Sequence, residues 1–342
     1  MEHTTIGVDL AKSVFEVAVS PQPGCVSQRK RLSRAAFSKF LAQSHSATVV
    51  LEACGSAHFW GRQIEELGHR AVLLPPHAVR PYITRNKTDR ADAKGILEAY
   101  RNADIRPVPI KSVTQHTLGA LHRVRSAWVA SRTARINAVR GFLRELGLTL
   151  PLGARHLRPR LLALLEDADS PLPMAIRPML AEAAEEIREF ETRIRGVEQQ
   201  LEQLSRQLPV VRRLRTIPGV GLLSATALVA FVGDVQRFPS ARHFASYLGL
   251  TPRERSSGLA RRLGAISKRG DTYLRTLLIH GARAVLCRAS TLEEPDRLRA
   301  WALGLQAQRG HNKAAVALAN KIARLVWVVW KRDVTYQSTP AA

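Results

Sequence analysis

The sequence has few cysteines, few acidic residues and no long apolar run. Its three cysteines, Cys25, Cys54 and Cys287, are odd in number and far apart, which excludes a disulfide framework and a CxxC metal knuckle. No run of about 18 apolar residues occurs, and the first residues lack the basic and apolar regions of a signal peptide. We therefore expect a folded protein that works inside the cell, away from membranes.

Basic residues far outnumber acidic ones. Lys and Arg total 52 against 28 Asp and Glu, which gives a net charge of +24. Arginine supplies 42 of the 52, and guanidinium suits bidentate contact with phosphate, although a GC-rich genome also favours Arg over Lys. An excess this large indicates a polyanionic partner, with nucleic acid the leading class. The length of 342 residues suggests two or three domains at about 150 residues each.

Short apolar segments alternate with helical ones in the first 100 residues. TTIGVD and VFEVAVS are separated by four residues and predict a β-hairpin. TVVLE and RAVLLP are typical of buried strands and flank the helical segment SAHFWGRQIEELG. Another helix is predicted from Thr88 to about Asn102, with Thr88 as its N-cap. The pattern predicts an α/β domain over residues 1–105.

The sequence of residues 106–208 predicts two long helices, of which the first is basic and the second acidic. Over 118–146, apolar residues recur near helical spacing beside arginines, which form either a solvated face or a face that follows a phosphate backbone. Over 180–208, apolar residues repeat through about four heptads, as in a coiled-coil seam. That seam fits a hairpin within one chain or a contact between protomers of a homo-oligomer. The segment between the helices contains enough Pro and Gly to turn the chain. The nucleic-acid-binding candidates here are Arg123, Arg125, Arg132, Arg135 and Arg140.

Residues 209–342 are predicted to be mainly helical. IPGVGLLSATALVAFVGDV places a Gly turn before a helix of small residues, which is similar to a DNA-binding helix-hairpin-helix. A helix, a basic loop and a second helix beginning near Asp271 follow. The last helical segment is interrupted by Lys321 and Arg324 and is too charged to span a bilayer. The basic loop supplies further nucleic-acid-binding candidates: Arg253, Arg255, Arg261, Arg262, Lys268 and Arg269.

Four carboxylates of the α/β region lie at strand ends or a helix start. Asp9 and Glu52 end predicted strands, while Asp89 and Asp92 share one face of a helical turn. Unpaired acids are rarely buried, and hard oxygen ligands suit Mg²⁺ or Mn²⁺, two of which can clamp a phosphodiester. Each acid alone also fits a turn, a salt bridge or a helix start. Together, in so basic a protein, they favour a metal site.

These motifs carry a resemblance to a known family. IGVDLAKS, LEACGSAHFW and NKTDRADA resemble the DEDD tetrad of the RuvC-like domain in the one-ten family of bacterial insertion-sequence transposases, which is related to the Piv/MooV DNA invertases. IPGVG, FASYLGLTPRERSSG and GAISKRGDTYLR resemble the second characteristic region of that family in order and spacing. The resemblance covers nearly the whole chain, and the combination of motifs is specific.

The resemblance implies a recombinase that cuts and rejoins donor and target DNA in the bacterial cytoplasm, at the nucleoid. Its fold would be α/β plus α: an RNase H-like, RuvC-like N-terminal domain, a helical coiled-coil arm and a mainly helical C-terminal transposase domain over 209–342. In that family the DEDD metal site is expected to act with the serine of an SG motif, which by resemblance falls here on Ser257, although Ser256 precedes it. The resemblance also implies that a non-coding guide RNA from the element specifies the DNA.

A serine nucleophile suits rejoining because a serine–phosphate bond stores the energy of the broken phosphodiester without ATP. Ser257 lies beside Gly258 in the basic loop, where cations would offset the charge that develops on a scissile phosphate. Arginine is too basic to accept the serine proton. Activation is therefore expected from metal at the tetrad, so the two regions must meet within one chain or across two. An ordinary serine in a DNA-contacting loop is the alternative.

Three other classes share part of this pattern. A sugar kinase would share the opening strand, but Leu10, Ala11 and Lys12 replace its Gly-rich phosphate turn. A RuvC-like junction resolvase or nuclease that cleaves by water would share the metal-dependent tetrad without needing the SSG region. A non-catalytic nucleic-acid-binding protein would leave the four acids unexplained. Metal-dependent cleavage with or without rejoining separates these classes.

Overall fold

The computed structural model describes residues 4–83, 89–258 and 260–338. The chain divides into two compact units, Met1–Val113 and Thr114–Ala342. Each unit has a hydrophobic core of its own. The division into domains over 1–105, 106–208 and 209–342 stays a prediction.

A five-stranded mixed sheet forms the centre of the first unit. Its order is β3-β2-β1-β4-β5. The pairs β1–β2 and β2–β3 are antiparallel, and β1–β4 and β4–β5 are parallel. The predicted hairpin and the two predicted buried strands are confirmed, whereas β3 is an additional edge strand. The strands are β1 (Thr5–Leu10), β2 (Val14–Ser20), β3 (Gln28–Ser33), β4 (Thr48–Glu52) and β5 (Arg70–Leu74).

Helices cover both faces of this sheet. On one face, the rings of Phe15, Phe37 and Trp60 pack edge to face with centroids 5.1–5.4 Å apart. On the other face, α4 packs against β1 and β4. The start that the sequence predicted for this helix, Thr88, lies outside the described residues. The helices are α1 (Arg34–Ala42), α2 (Ala57–Glu66), α3 (Pro76–Val79) and α4 (Asp89–Tyr100).

The second unit contains a pair of long antiparallel helices, α5 (Val113–Glu145) and α7 (Arg177–Arg206). Ion pairs join the two helices within one chain. Their order, Arg125–Glu198, Arg132–Glu191 and Arg135–Glu186, is that of an antiparallel pair. Four heptad positions of α7 are buried: Leu180, Ile187, Ile194 and Leu201. The observed pairing is therefore intramolecular, while a coiled coil that joins protomers stays a prediction.

The segment predicted to turn the chain between these helices also contains a helix, α6 (Ala154–Glu166). Pro159 lies inside this helix, where it removes a backbone hydrogen-bond donor. Leu157 and Leu161 are fully buried in a cluster with residues of α5 and α7. This burial outweighs the local preference against helix that proline causes.

Helices α8, α10, α11 and α12 pack against α13, whose Leu318, Ile322 and Val326 are fully buried, and α9 packs against α7, α8 and α11. The basic loop contains a short antiparallel ribbon, β6–β7, where the sequence predicted only a loop. Among the described helices, none is long and apolar enough to cross a membrane. The elements are α8 (Pro209–Leu214), α9 (Leu222–Val232), α10 (Ala241–Tyr247), β6 (Pro252–Glu254), β7 (Leu263–Ile266), α11 (Thr272–Ala289), α12 (Arg297–Arg309) and α13 (His311–Arg332).

Candidate functional site

Strand β1 and helix α4 approach each other closely at Gly7. A Cβ at this position would lie 2.7 Å from both the Ala93 carbonyl oxygen and Leu97 Cγ, so only glycine permits the contact. Side chains alternate along a strand. Asp9, two residues after Gly7, therefore projects on the side of the sheet that α4 covers. Asp92 directly precedes Ala93 in α4 and is buried, with 8% of its surface exposed.

Glu52 lies on the same side of the sheet. Val50 packs in a cluster with residues of α4, and Glu52 follows two residues later. The paired residues of the parallel strands β1 and β4 end at Val8 and Leu51, so Asp9 and Glu52 come next on neighbouring strands. The structure thus brings three of the four predicted carboxylates to the α4 side of the sheet.

The thiol of Cys54 reports the proximity of two of these acids. Burial raises its pKa most strongly, and the negative charges of Glu52 and Asp9 raise it further, against a lowering hydrogen bond with the Ser56 backbone. Both carboxylates act on one thiol. Glu52 and Asp9 therefore both lie within electrostatic reach of this thiol.

Glu16 is a further carboxylate on this face, and the sequence reasoning missed it. It lies directly opposite Asp9 in the β1–β2 pair. Ala18, two residues later, packs in a cluster with residues of α4, which fixes the side of the sheet. Arg31 Nε lies 3.5 Å from Glu16 Oε1. Because like charges directly opposite each other are destabilising, the ion pair with Arg31 offsets part of the repulsion between Glu16 and Asp9.

The donors on this face are carboxylate oxygens, which suit a hard divalent cation. Among the described side chains, no group of three or more His, Cys, Asp or Glu is arranged to hold a metal ion. The side chain of Asp89, the first residue of α4, is not among the described side chains. Donor type and shared face suit a divalent cation, while the described side chains do not by themselves form a complete ligand set.

Ser257 belongs to the second unit and lies in the turn of the β6–β7 ribbon. Its N–H donates to the Ala260 carbonyl at 3.3 Å, and the Ala260 N–H donates back at 3.2 Å. Gly258, in the turn, has φ +56°. All six predicted cations of this loop are exposed: Arg253, Arg255, Arg261, Arg262, Lys268 and Arg269. The ribbon thus presents Ser257 on a cationic surface.

Ser256 and Ser257 differ in their hydrogen bonds. Ser256 Oγ donates to Glu254 Oε1 at 2.8 Å and accepts from the Arg262 N–H at 3.2 Å. Arg261 Nε also contacts Glu254 Oε1, at 3.2 Å. The Ser256 hydrogen bond and then the charge of Arg261 lower the pKa of Glu254. Ser257 Oγ, by contrast, makes no hydrogen bond to any residue that the structure describes.

Close backbone contacts hold the base of the ribbon. Gly249 and Gly270 have φ +70° and +82°. A Cβ on Gly249 would collide with the Arg269 carbonyl oxygen, and one on Gly270 with the Tyr247 carbonyl oxygen. Arg275, 7% exposed, donates to the Arg269 carbonyl at 3.2 Å. These residues of the YLGL and SKRGDTYLR motifs therefore shape the loop that carries Ser257.

Four of the five nucleic-acid-binding candidates on α5 have partners in their own unit. Arg125, Arg132 and Arg135 form ion pairs with glutamates of α7. Arg140 donates to two carbonyls of the following loop. Arg123 is exposed and forms no ion pair with a described residue. Arg125, Arg132 and Arg135 therefore bridge the helix pair, Arg140 holds the following loop, and Arg123 is the candidate that faces solvent.

A buried histidine links α5 to α9 and α11. His122 is 1% exposed, with Nε2 2.9 Å from Thr226 Oγ1 and Nδ1 2.9 Å from Tyr273 Oη. The Thr226 hydroxyl donates to the Leu222 carbonyl at 2.7 Å, so it accepts from Nε2–H, and Nδ1 accepts from Tyr273. Burial, followed by the charge of Arg125, lowers the pKa of His122 to about 4. The imidazole is therefore neutral at pH 7.

Two family models match the chain. A DEDD transposase model of the IS110 type matches residues 6–147, and a model described as "Transposase IS116/IS110/IS902 family" matches residues 211–297. The chain is 43% identical to a probable family 20 transposase of Pseudomonas aeruginosa, over 98% of this chain and 99% of the relative. It is 38% identical to the transposase for insertion sequence element IS1111A of Coxiella burnetii, over 97% and 91%. The pilin gene-inverting protein of Moraxella bovis is 26% identical over 81% of both chains.

The chain is therefore an enzyme of the class that acts on DNA. It belongs to the IS110/IS116/IS902 family of transposases, as its motifs indicated. The first model spans all four predicted carboxylates, and the second spans Ser257 and its ribbon.

Proposed function

We propose that this transposase cuts and rejoins DNA with a divalent cation held on the α4 side of the sheet and with Ser257 as the group that becomes linked to DNA. The observation that carries the proposal is the shared face of Asp9, Glu52 and Asp92. The mixed sheet with an acid at the end of its central strand also supports the RNase H-like, RuvC-like assignment.

Asp9, Glu52, Asp89 and Asp92 would hold Mg²⁺ or Mn²⁺. When bound, the cation would stabilise negative charge on the phosphodiester oxygens. The contact at Gly7 fixes α4, and with it Asp92, against β1.

Ser257 Oγ would attack a DNA phosphorus atom. The Oγ–P bond forms as one phosphorus–oxygen bond to a sugar breaks, and the freed sugar oxygen takes up a proton. Attack by a sugar oxygen of another strand then breaks the Oγ–P bond and releases the serine with its proton restored. The exposed cations of the ribbon offset charge on the phosphate. Ser256, held between Glu254 and Arg262, is assigned a positioning role.

The metal-site proposal is tested with Glu52→Gln, which removes a charge and preserves shape. Recombination is measured between two plasmids that carry the ends and the target of the element. We expect no recombinant above background. Glu65→Gln, an exposed position of α2, is the matched control and should recombine like wild type. Wild-type recombination by the Glu52→Gln protein would contradict the proposal.

We further propose that the chain binds an element-encoded guide RNA and forms a homo-oligomer through the predicted coiled coil, at the bacterial nucleoid. The net charge, the exposed Arg123 and the family resemblance support nucleic-acid binding. Sequencing of RNA that copurifies with the protein tests the guide. Light scattering that shows a monomer at all concentrations, with and without RNA, would contradict the oligomer.

A further inference from the structure

A groove runs between the β6–β7 ribbon and the helices α12 and α13. We call it the α13 groove; its volume is about 1000 Å³. This is at the upper end of ordinary ligand pockets, about 300–1,000 Å³. Its walls include Pro252, Ile266, Trp301, Val316, Lys321 and Arg324. One wall therefore belongs to the ribbon that carries Ser257.

Among the residues that the structure describes, every charged side chain that lines the α13 groove is cationic. Lys313, Lys321 and Arg324 line it. The pKa of Lys321 is lowered by burial, then by the positive charges of Arg324 and Arg297. Clustered like charges cost free energy, and a polyanion in the groove would offset that cost.

An aromatic ring completes the groove. Trp301 is 39% exposed, and Lys321 Nζ lies 4.1 Å from its ring centroid. Apolar side chains such as Ile266 and Val316, together with Asn312 and Asn320, form much of the remaining surface. Aromatic rings that stack on bases, combined with cations that contact phosphates, are the means by which proteins bind single-stranded nucleic acid. The centre of a protein–protein interface is instead depleted of lysine.

We propose that the α13 groove binds an unpaired segment of DNA or RNA, in which a base replaces the Lys321 ammonium on the Trp301 ring and phosphates contact Lys313, Arg324 and the displaced Lys321. A duplex is a poorer ligand because its bases already stack on one another. The groove lies beside the ribbon, so a strand bound there would lie next to Ser257. The importance of this location for catalysis rests on the proposed function. The binding itself requires no catalysis.

The test measures the affinity of labelled single-stranded DNA, single-stranded RNA and duplex DNA by fluorescence anisotropy. EDTA and a Ser257→Ala background remove catalysis. Trp301→Leu should weaken single-strand binding about five- to hundredfold, the range measured for loss of one stacked base, with duplex binding nearly unchanged. Lys321→Gln should weaken it and reduce its salt dependence. If Trp301→Leu lowers the affinity for single-stranded DNA more than for single-stranded RNA, the bound segment is DNA. The reverse result identifies it as RNA.

Arg309→Gln is the matched control, since it makes the same charge change in α12 outside the groove and should bind like wild type. Circular dichroism identifies any misfolded variant, in which case Lys321→Gln decides. Equal single-strand affinities for wild type and the groove variants would overturn the proposal. A changed oligomeric state with unchanged strand affinity would overturn it too, in favour of a protein contact. Both results leave the catalytic proposal untouched, because catalysis takes no part in this assay.

Discussion

His122 should make the stability of the second unit depend on pH. The unfolded histidine has a pKa of 6.5 and the folded one about 4. Between these values the unfolded chain binds a proton that the folded chain does not, so stability falls as the pH falls from 6.5 towards 4. The difference, at about 1.36 kcal/mol per pH unit, amounts to about 3 kcal/mol. This contribution is fully present at pH 7 and lost near pH 4.

His122→Gln is the informative perturbation, because an amide can contact both Thr226 and Tyr273 and does not titrate. Urea unfolding followed by circular dichroism at pH 7, 5.5 and 4 gives the free energy of unfolding of each protein. From pH 7 to pH 4, wild type should lose about 3 kcal/mol more than the variant. Other titrating groups are common to both proteins and cancel. Parallel pH profiles would refute the reasoning.

Four other substitutions separate structural from functional roles. Gly249→Ala should lower the free energy of unfolding more than Gly147→Ala, which has φ +73° but no neighbour within 4 Å; chemical denaturation measures the difference. Arg123→Ala should lower the slope of log affinity against log salt by about 0.9 with unchanged stability. Arg132→Ala should lower stability by at most about 1 kcal/mol. Ser256→Ala should slow joining in the plasmid assay without abolishing it.

Apolar periodicity predicted the elements that are buried on a regular face. The strands around Val8 and Val50 and the heptad helix through Ile187 were found this way. The edge strand β3 was missed because it is polar and largely exposed. Helix α6 was missed because Pro159 suggests a turn, and only packing against distant residues reveals the helix.

Candidate site residues could be predicted where short sequence motifs contain them, as with Asp9, Glu52 and Ser257. Glu16 was missed, although the register of the predicted hairpin would have placed it opposite Asp9. The ion pairs of the α5 arginines depend on glutamates 51 to 73 residues away, as with Arg135–Glu186 and Arg125–Glu198, so sequence spacing could not reveal them. The difference between the two adjacent serines likewise depends on the folded ribbon.

The central claim is that Ser257 becomes covalently linked to DNA in a metal-dependent step. Denaturing gel electrophoresis of a labelled suicide substrate tests it most directly. We predict a protein–DNA adduct with wild type and Mg²⁺, none after chelation, and none with Ser257→Ala, whose DNA binding should stay near normal. An adduct with Ser257→Ala would make Ser256 the nucleophile. Cleavage by wild type without any adduct would replace the account with hydrolysis by water.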